Sequence, residues 1–84
     1  MMDCSVVVAT FNRGSVLQTT LERLCSLPQR PPIIVVDNAS QDETPQLLRS
    51  YGDRVAAIRL NRNIGAAART FGAQAAMTPL IAFC

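Results

Sequence analysis

The feature that most constrains this chain is a pair of short apolar runs, Val6-Val7-Val8-Ala9 and Ile33-Ile34-Val35-Val36, each ending abruptly in polar residues. A strand with one wet face alternates apolar and polar side chains, whereas a run that is apolar at every position suits a strand buried on both faces. Covering both faces requires layers above and below, and the intervening segments supply them. After Thr10-Phe11-Asn12-Arg13-Gly14, the residues Val16, Leu17, Thr20, Leu21, Leu24 and Leu27 recur at spacings of three and four. This predicts a helix over about 16–27, with Ser15 as its N-cap and Pro28 and Pro31-Pro32 closing it. A second helix follows Asp37-Asn38-Ala39-Ser40, with Leu47, Leu48 and Tyr51 on its apolar face and Gly52 as its stop. Its start is open between a capping box at Ser40-Gln41-Asp42-Glu43 and an N-cap at Thr44 followed by Pro45. A weaker strand is expected over 55–60, a small-residue helix over 65–77, and a fourth strand over 80–84. The order β-α-β-α-β-α-β predicts an α/β fold, a parallel sheet covered by helices on both faces, with right-handed crossovers.

Composition removes other classes. Eighty-four residues make one small domain, and 49% hydrophobic against 17% charged residues argues against disorder. The net charge is +2 and the arginines are scattered, so no nucleic-acid footprint is expected. Histidine is absent, which excludes imidazole chemistry from this chain. Cys4, Cys25 and Cys84 lack C-x-x-C spacing and are expected to be small buried hydrophobes in a reducing compartment. No apolar run is long enough for a membrane span, and the start Met1-Met2-Asp3-Cys4 lacks a signal-peptide pattern. The expectation is a cytoplasmic chain.

Ligands of parallel sheets bind beyond the carboxyl ends of the strands, where the strand order reverses. The informative residues are therefore 10–13, 37–40 and 61–65, and whatever follows Cys84. No Gly-x-Gly-x-x-Gly or P-loop follows the first strand, so phosphate charge must meet arginine or a metal ion. Asp37 can accept hydrogen bonds from a base or ribose, or cap its own turn together with Asn38. Arg69 near a helix start opposes the macrodipole, which a diphosphate or Asp37 nearby would relieve. Asp42 and Glu43 read as helix-start charges, and Arg13 and Arg62 as solvated loop residues. Phe11 suits either base stacking or the core. Gly65, Ala66, Ala67, Ala68, Gly72, Ala73, Ala75 and Ala76 make a helix that can approach the sheet closely, leaving Gly65 and Arg69 beside the crevice.

Together these strand ends resemble the family 2 glycosyltransferases, inverting enzymes of the GT-A fold that use nucleotide sugars. The resemblance rests on Val6-Val7-Val8-Ala9-Thr10-Phe11-Asn12-Arg13, on Ile34-Val35-Val36-Asp37-Asn38-Ala39-Ser40-Gln41-Asp42-Glu43-Thr44, on Asn63-Ile64-Gly65 with Ala68-Arg69-Thr70-Phe71-Gly72, and on Pro79-Leu80-Ile81-Ala82-Phe83. It implies a partial GT-A, Rossmann-like sheet of order 3-2-1-4, with the nucleotide-sugar site at Ala9, Thr10, Phe11, Arg13, Asp37, Asn38, Gly65 and Arg69. Ala9 to Phe11 would hold the base, Asp37 would bond it, and Arg69 would lie near the base or diphosphate. The family usually has Pro at position 9, Tyr at 11 and Asn at 70, where this chain has Ala, Phe and Thr. The resemblance also implies a divalent cation, Mg²⁺ or Mn²⁺, in the full-length enzyme. Its Asp-x-Asp ligands are expected just after Cys84, so neither metal ligands nor catalytic residues are expected in this segment, which would form the front part of the donor-binding domain and be inactive alone. The acceptor is not indicated, and the apolar fourth strand is expected to expose an edge that can self-associate. A noncatalytic nucleotide-binding or interaction domain on the same half-fold is the alternative reading. A nucleotidyltransferase is disfavoured by the missing basic, glycine-rich first loop.

Overall fold

A computed structural model describes residues 4–84, so the reading of the first residues as lacking a signal peptide lies outside the described residues. The elements are β1 (Cys4–Thr10), α1 (Gly14–Cys25), β2 (Ile33–Asp37), α2 (Thr44–Tyr51), β3 (Ala56–Arg59), α3 (Ala68–Ala75) and β4 (Leu80–Phe83). Short 3₁₀ turns at Gly52–Arg54 and Gly65–Ala67 precede β3 and α3. All strands pair in parallel in the order β3-β2-β1-β4, as the resemblance implied.

Strand alternation divides the interior into two layers. Val6, Val8, Ile33 and Val35 face one way and pack with Leu17 and Leu21 of α1, Leu48 of α2 and Val55. Val7 and Val36 face the other way, against α3, whose Ala68 is fully buried. A Cβ on Gly72 would overlap the Val7 side chain and press on Val36 Cγ2 at 3.2 Å. The small residues of α3 thus permit the close approach expected of them.

Helix boundaries differ from the periodicity where tertiary contacts intervene. Helix α1 starts at Gly14 rather than after Ser15, with no side-chain N-cap of its own. The Gly14 amide donates instead to Asp42 Oδ2 at 3.0 Å, so the loop before α2 caps α1 from outside. Val16 and Leu27 are exposed, not core, and Leu27 lies beyond the helix. Helix α2 begins at Thr44-Pro45, while the Ser40 hydroxyl accepts a bond from the Asn12 amide and so serves a neighbouring loop. Strand β3 is shorter than expected, Val55 having joined the core as a single buried residue. The cysteines are less buried than expected: Cys4 and Cys25 are half-buried and Cys84 is exposed. No described helix is long and apolar enough to cross a membrane.

Gly72→Ala tests the close approach. At an open helical site the exchange stabilises by about 1 kcal/mol through propensity. Here the added methyl meets a β-branched core side chain, and overpacking of about 1–3 kcal/mol outweighs that gain. The urea midpoint is expected to fall, and a rise would show that α3 can lift away from the sheet without loss.

Candidate functional site

The strand order reverses between β1 and β4, because the chain steps outward from β1 through β2 to β3 and then returns to the opposite side of β1. At that point lies a cavity of about 220 Å³, lined by Val8, Ala9, Thr10, Arg13, Val16, Leu17, Thr20 and Cys84. Three of the residues expected from the sequence, Ala9, Thr10 and Arg13, border it. Phe11, the next residue after Thr10, is not among the residues that line it; it is 41% exposed and therefore not a core residue.

The rims of the first three strands are laced together. The Asn12 amide donates to Ser40 Oγ at 2.8 Å, and the Gln41 amide donates to Asn12 Oδ1 at 2.7 Å. The buried Asn38 side chain reaches the third loop, donating from Nδ2 to the Gly65 carbonyl and accepting from the Ile64 amide, both at 3.2 Å. Its amide is thereby committed to joining the loops. Each loop also carries one left-handed residue: Asn12 at φ 51°, Ala39 at φ 62° and Gly65 at φ 64°. For alanine this conformation is uncommon, and such strain concentrates where a fold fixes a working geometry.

Asp37 closes β2 with its carboxylate buried, only 1% exposed. Its Oδ1 accepts the Ser40 amide at 2.9 Å, which is the turn-capping role, and its Oδ2 accepts Arg59 Nη1 at 2.8 Å. Arg59 also donates from Nη2 to the Ser40 carbonyl at 3.0 Å. Sequence reasoning missed Arg59. The register that sets Arg59 opposite Asp37, and Asp37 opposite Thr10, is a property of strand pairing and not of either segment alone.

The structure does not bring Asp37 and Arg69 together. Asp37 shares the α1–α2 side of the sheet with Val35 and borders a hollow with Leu48, Val55 and Arg59. Arg69 sits near the start of α3, across the sheet, with its guanidinium carbon 6.0 Å from the Phe83 ring centroid. The expectation that Asp37 could neutralise Arg69 is therefore corrected: the carboxylate takes Arg59, and Arg69 is steadied by an aromatic face. Gly65 belongs to the loop that Asn38 anchors. Arg62 is exposed in the same loop and Arg13 is exposed beside the cavity. Among the described residues no group of three His, Cys, Asp or Glu comes together to hold a metal ion.

Asp42 is more than a helix-start charge. Hydrogen bonding from Thr44, whose amide donates to Oδ1 at 2.9 Å, holds the Asp42 carboxyl below the ordinary value of 3.8, with desolvation opposing and the Gly14 amide adding to the lowering. A folded pKa below the unfolded one means that the contribution is present above about pH 4 and is lost as pH falls through the folded value. The melting temperature of the wild type is therefore expected to fall as pH drops below about 4, and Asp42→Asn to weaken that dependence; identical pH profiles would remove the cap's role. Asn38→Ala strands the Ile64 amide and the Gly65 carbonyl, at a cost of about 1–3 kcal/mol. A denaturant midpoint unchanged by that substitution would show that the loops hold together without it.

The comparisons with known proteins agree with this frame. The family model described as glycosyl transferase family 2 matches residues 5–84. Two validoxylamine A glucosyltransferases, from Streptomyces hygroscopicus subsp. limoneus and subsp. jinggangensis, are 37% and 36% identical over 94% of this chain. The chain spans 19% and 20% of their lengths, about a fifth. Among solved structures, S. aureus TarS 1–349 in complex with UDP superposes at TM-score 0.76, with 24% identity, over 99% of this chain and 27% of that one. The mannosyltransferase PcManGT from Pyrobaculum calidifontis, in complex with GDP-Man and Mn²⁺, matches at TM-score 0.73 and 23% identity over 84% of this chain and 23% of its own. The parallel sheet is thus the GT-A-like, Rossmann-like sheet of glycosyltransferases, and the chain belongs to glycosyl transferase family 2.

Proposed function

We propose that these residues form the front part of the donor-binding domain of an inverting glycosyltransferase and bind the nucleotide of a nucleoside-diphosphate sugar. The observation that carries the reading is the cavity at the β1–β4 reversal, bordered by Ala9, Thr10 and Arg13, at the place where open α/β sheets receive ligands. The solved relatives add support: TarS 1–349 is described with UDP and with UDP-GlcNAc, and PcManGT with GDP-Man.

In this reading Ala9, Thr10 and Phe11 hold the base, with the Phe11 ring free to stack on it. Asp37 accepts from a ring N–H, which uracil and guanine both carry; a carboxylate has about four lone-pair sites, and two are already taken. Arg13, which borders the cavity, is the cation assigned to the diphosphate, and Arg69 and Gly65, which do not border it, are assigned to approach the diphosphate from the α3 side of the strand ends. Asn38 acts by holding the third loop in place. Transfer breaks the bond between the anomeric carbon and the diphosphate oxygen and forms one to an acceptor oxygen on the opposite face. The acceptor's proton goes to a base outside the residues assigned here.

A divalent ion of the kind described in PcManGT wants oxygen ligands. The described residues gather no such set, and the Asp37 carboxylate is already neutralised by the Arg59 guanidinium, which would repel a second cation, so these residues do not fit the ion.

Calorimetric titration with UDP and GDP tests the reading. One of them is expected to bind with Kd of about 1 µM–1 mM, the range of enzyme substrates. Asp37→Ala is expected to weaken that binding about tenfold, the loss of one charged hydrogen bond at about 1.4 kcal/mol. No heat from either nucleotide would defeat the assignment.

A further inference from the structure

Thr10, Asp37 and Arg59 form one row across the sheet at its carboxyl edge, each the register partner of the next. Neighbours in such a row stand about 4.8 Å apart and point the same way. The row starts at the reversal cavity, which Thr10 borders, and ends at Arg59 on the outer strand. The Arg59 guanidinium closes over Asp37 Oδ2 and the Ser40 carbonyl together, while the Ser40 amide holds Oδ1. Arg59 therefore holds Oδ2 and the turn that follows from the outer-strand side, while the turn's own Ser40 amide holds Oδ1. Arg59 is itself half-exposed, with 52% of its side chain accessible, whereas its partner is sealed.

We infer that Arg59 is a positioning residue for donor recognition, acting through Asp37: it sets the depth and plane at which the carboxylate's remaining lone pairs meet the base. This inference rests on the donor-site reading above. The physical reason is the cost of leaving a charge buried without its counter-ion, which far exceeds that of losing an exposed pair. Without the guanidinium the carboxylate does not wait in place for a ligand; it takes a proton or swings towards water, and the base loses its acceptor. Lysine restores a charge but not the forked contact that also holds the Ser40 carbonyl.

The test is a double-mutant cycle on the full-length protein, read by UDP, GDP and CDP affinity, with thermal unfolding followed alongside. Arg59→Met is expected to weaken UDP or GDP binding about tenfold and Asp37→Asn by a similar factor. Arg59→Lys, which retains the ion pair and keeps the question open should Arg59→Met fail to fold, is expected to weaken binding about threefold. The double variant should bind no more weakly than Asp37→Asn alone, because both changes remove one interaction. The preference for UDP or GDP over CDP, whose ring nitrogen accepts instead of donating, should shrink in Arg59→Met. Wild-type protein that binds neither UDP nor GDP overturns the donor reading and this inference with it. Wild-type binding with additive losses in the double variant, or with affinity unchanged or tightened in both Arg59 variants, overturns the inference alone.

Discussion

A carboxylate buried at the end of an interior strand is the constraint around which this molecule's working edge is arranged. Asp37 cannot be left unpaired where it stands, and its two oxygens are met by the Ser40 amide and the Arg59 guanidinium. The first bond closes the turn after β2, and the second ties that turn to the outer strand. The same turn then receives the Asn12 amide on the Ser40 hydroxyl and reaches the third loop through Asn38. Three loops distant in sequence are joined into one rim at the turn that this charge closes.

The layers beneath that rim have different characters. On one side α1 and α2 cover the sheet with leucines, and Leu17, Leu21 and Leu48 fill the space against Val6, Val8, Ile33 and Val35. On the other side α3 carries little bulk, and its backbone closes down on Val7 and Val36 at Gly72. The second arrangement brings the Gly65 loop within reach of Asn38. A bulkier helix would stand further from the sheet and leave the third loop unanchored.

The candidate site was legible in part. Ala9, Thr10 and Arg13 could be named because they follow a strand buried on both faces, and strand ends are where such sheets receive ligands. Asn38 and Asp37 could be named for the same reason, but not their partners. Arg59 reads as an ordinary charged residue at the end of a weak strand, and Asp42 as an ordinary helix-start acid. Their roles come from pairing across more than twenty residues of chain: Arg59 with Asp37, and Asp42 with the Gly14 amide. Of the two partners considered for Arg69, Asp37 failed for a related reason: proximity to one strand edge does not say which side of the sheet a side chain takes.

By itself the sequence determined the strands, the helices, the parallel arrangement and the closeness of the last helix. These follow from local periodicity, β-branching, proline stops and side-chain volume, which act over a few residues and need no knowledge of neighbours. The tertiary structure alone decided which loop caps α1, which cation neutralises Asp37 and which aromatic ring faces Arg69. Those choices depend on strand register and on which face each residue takes, and a hydrogen bond or ion pair forms only where that geometry brings donor and acceptor within about 3 Å.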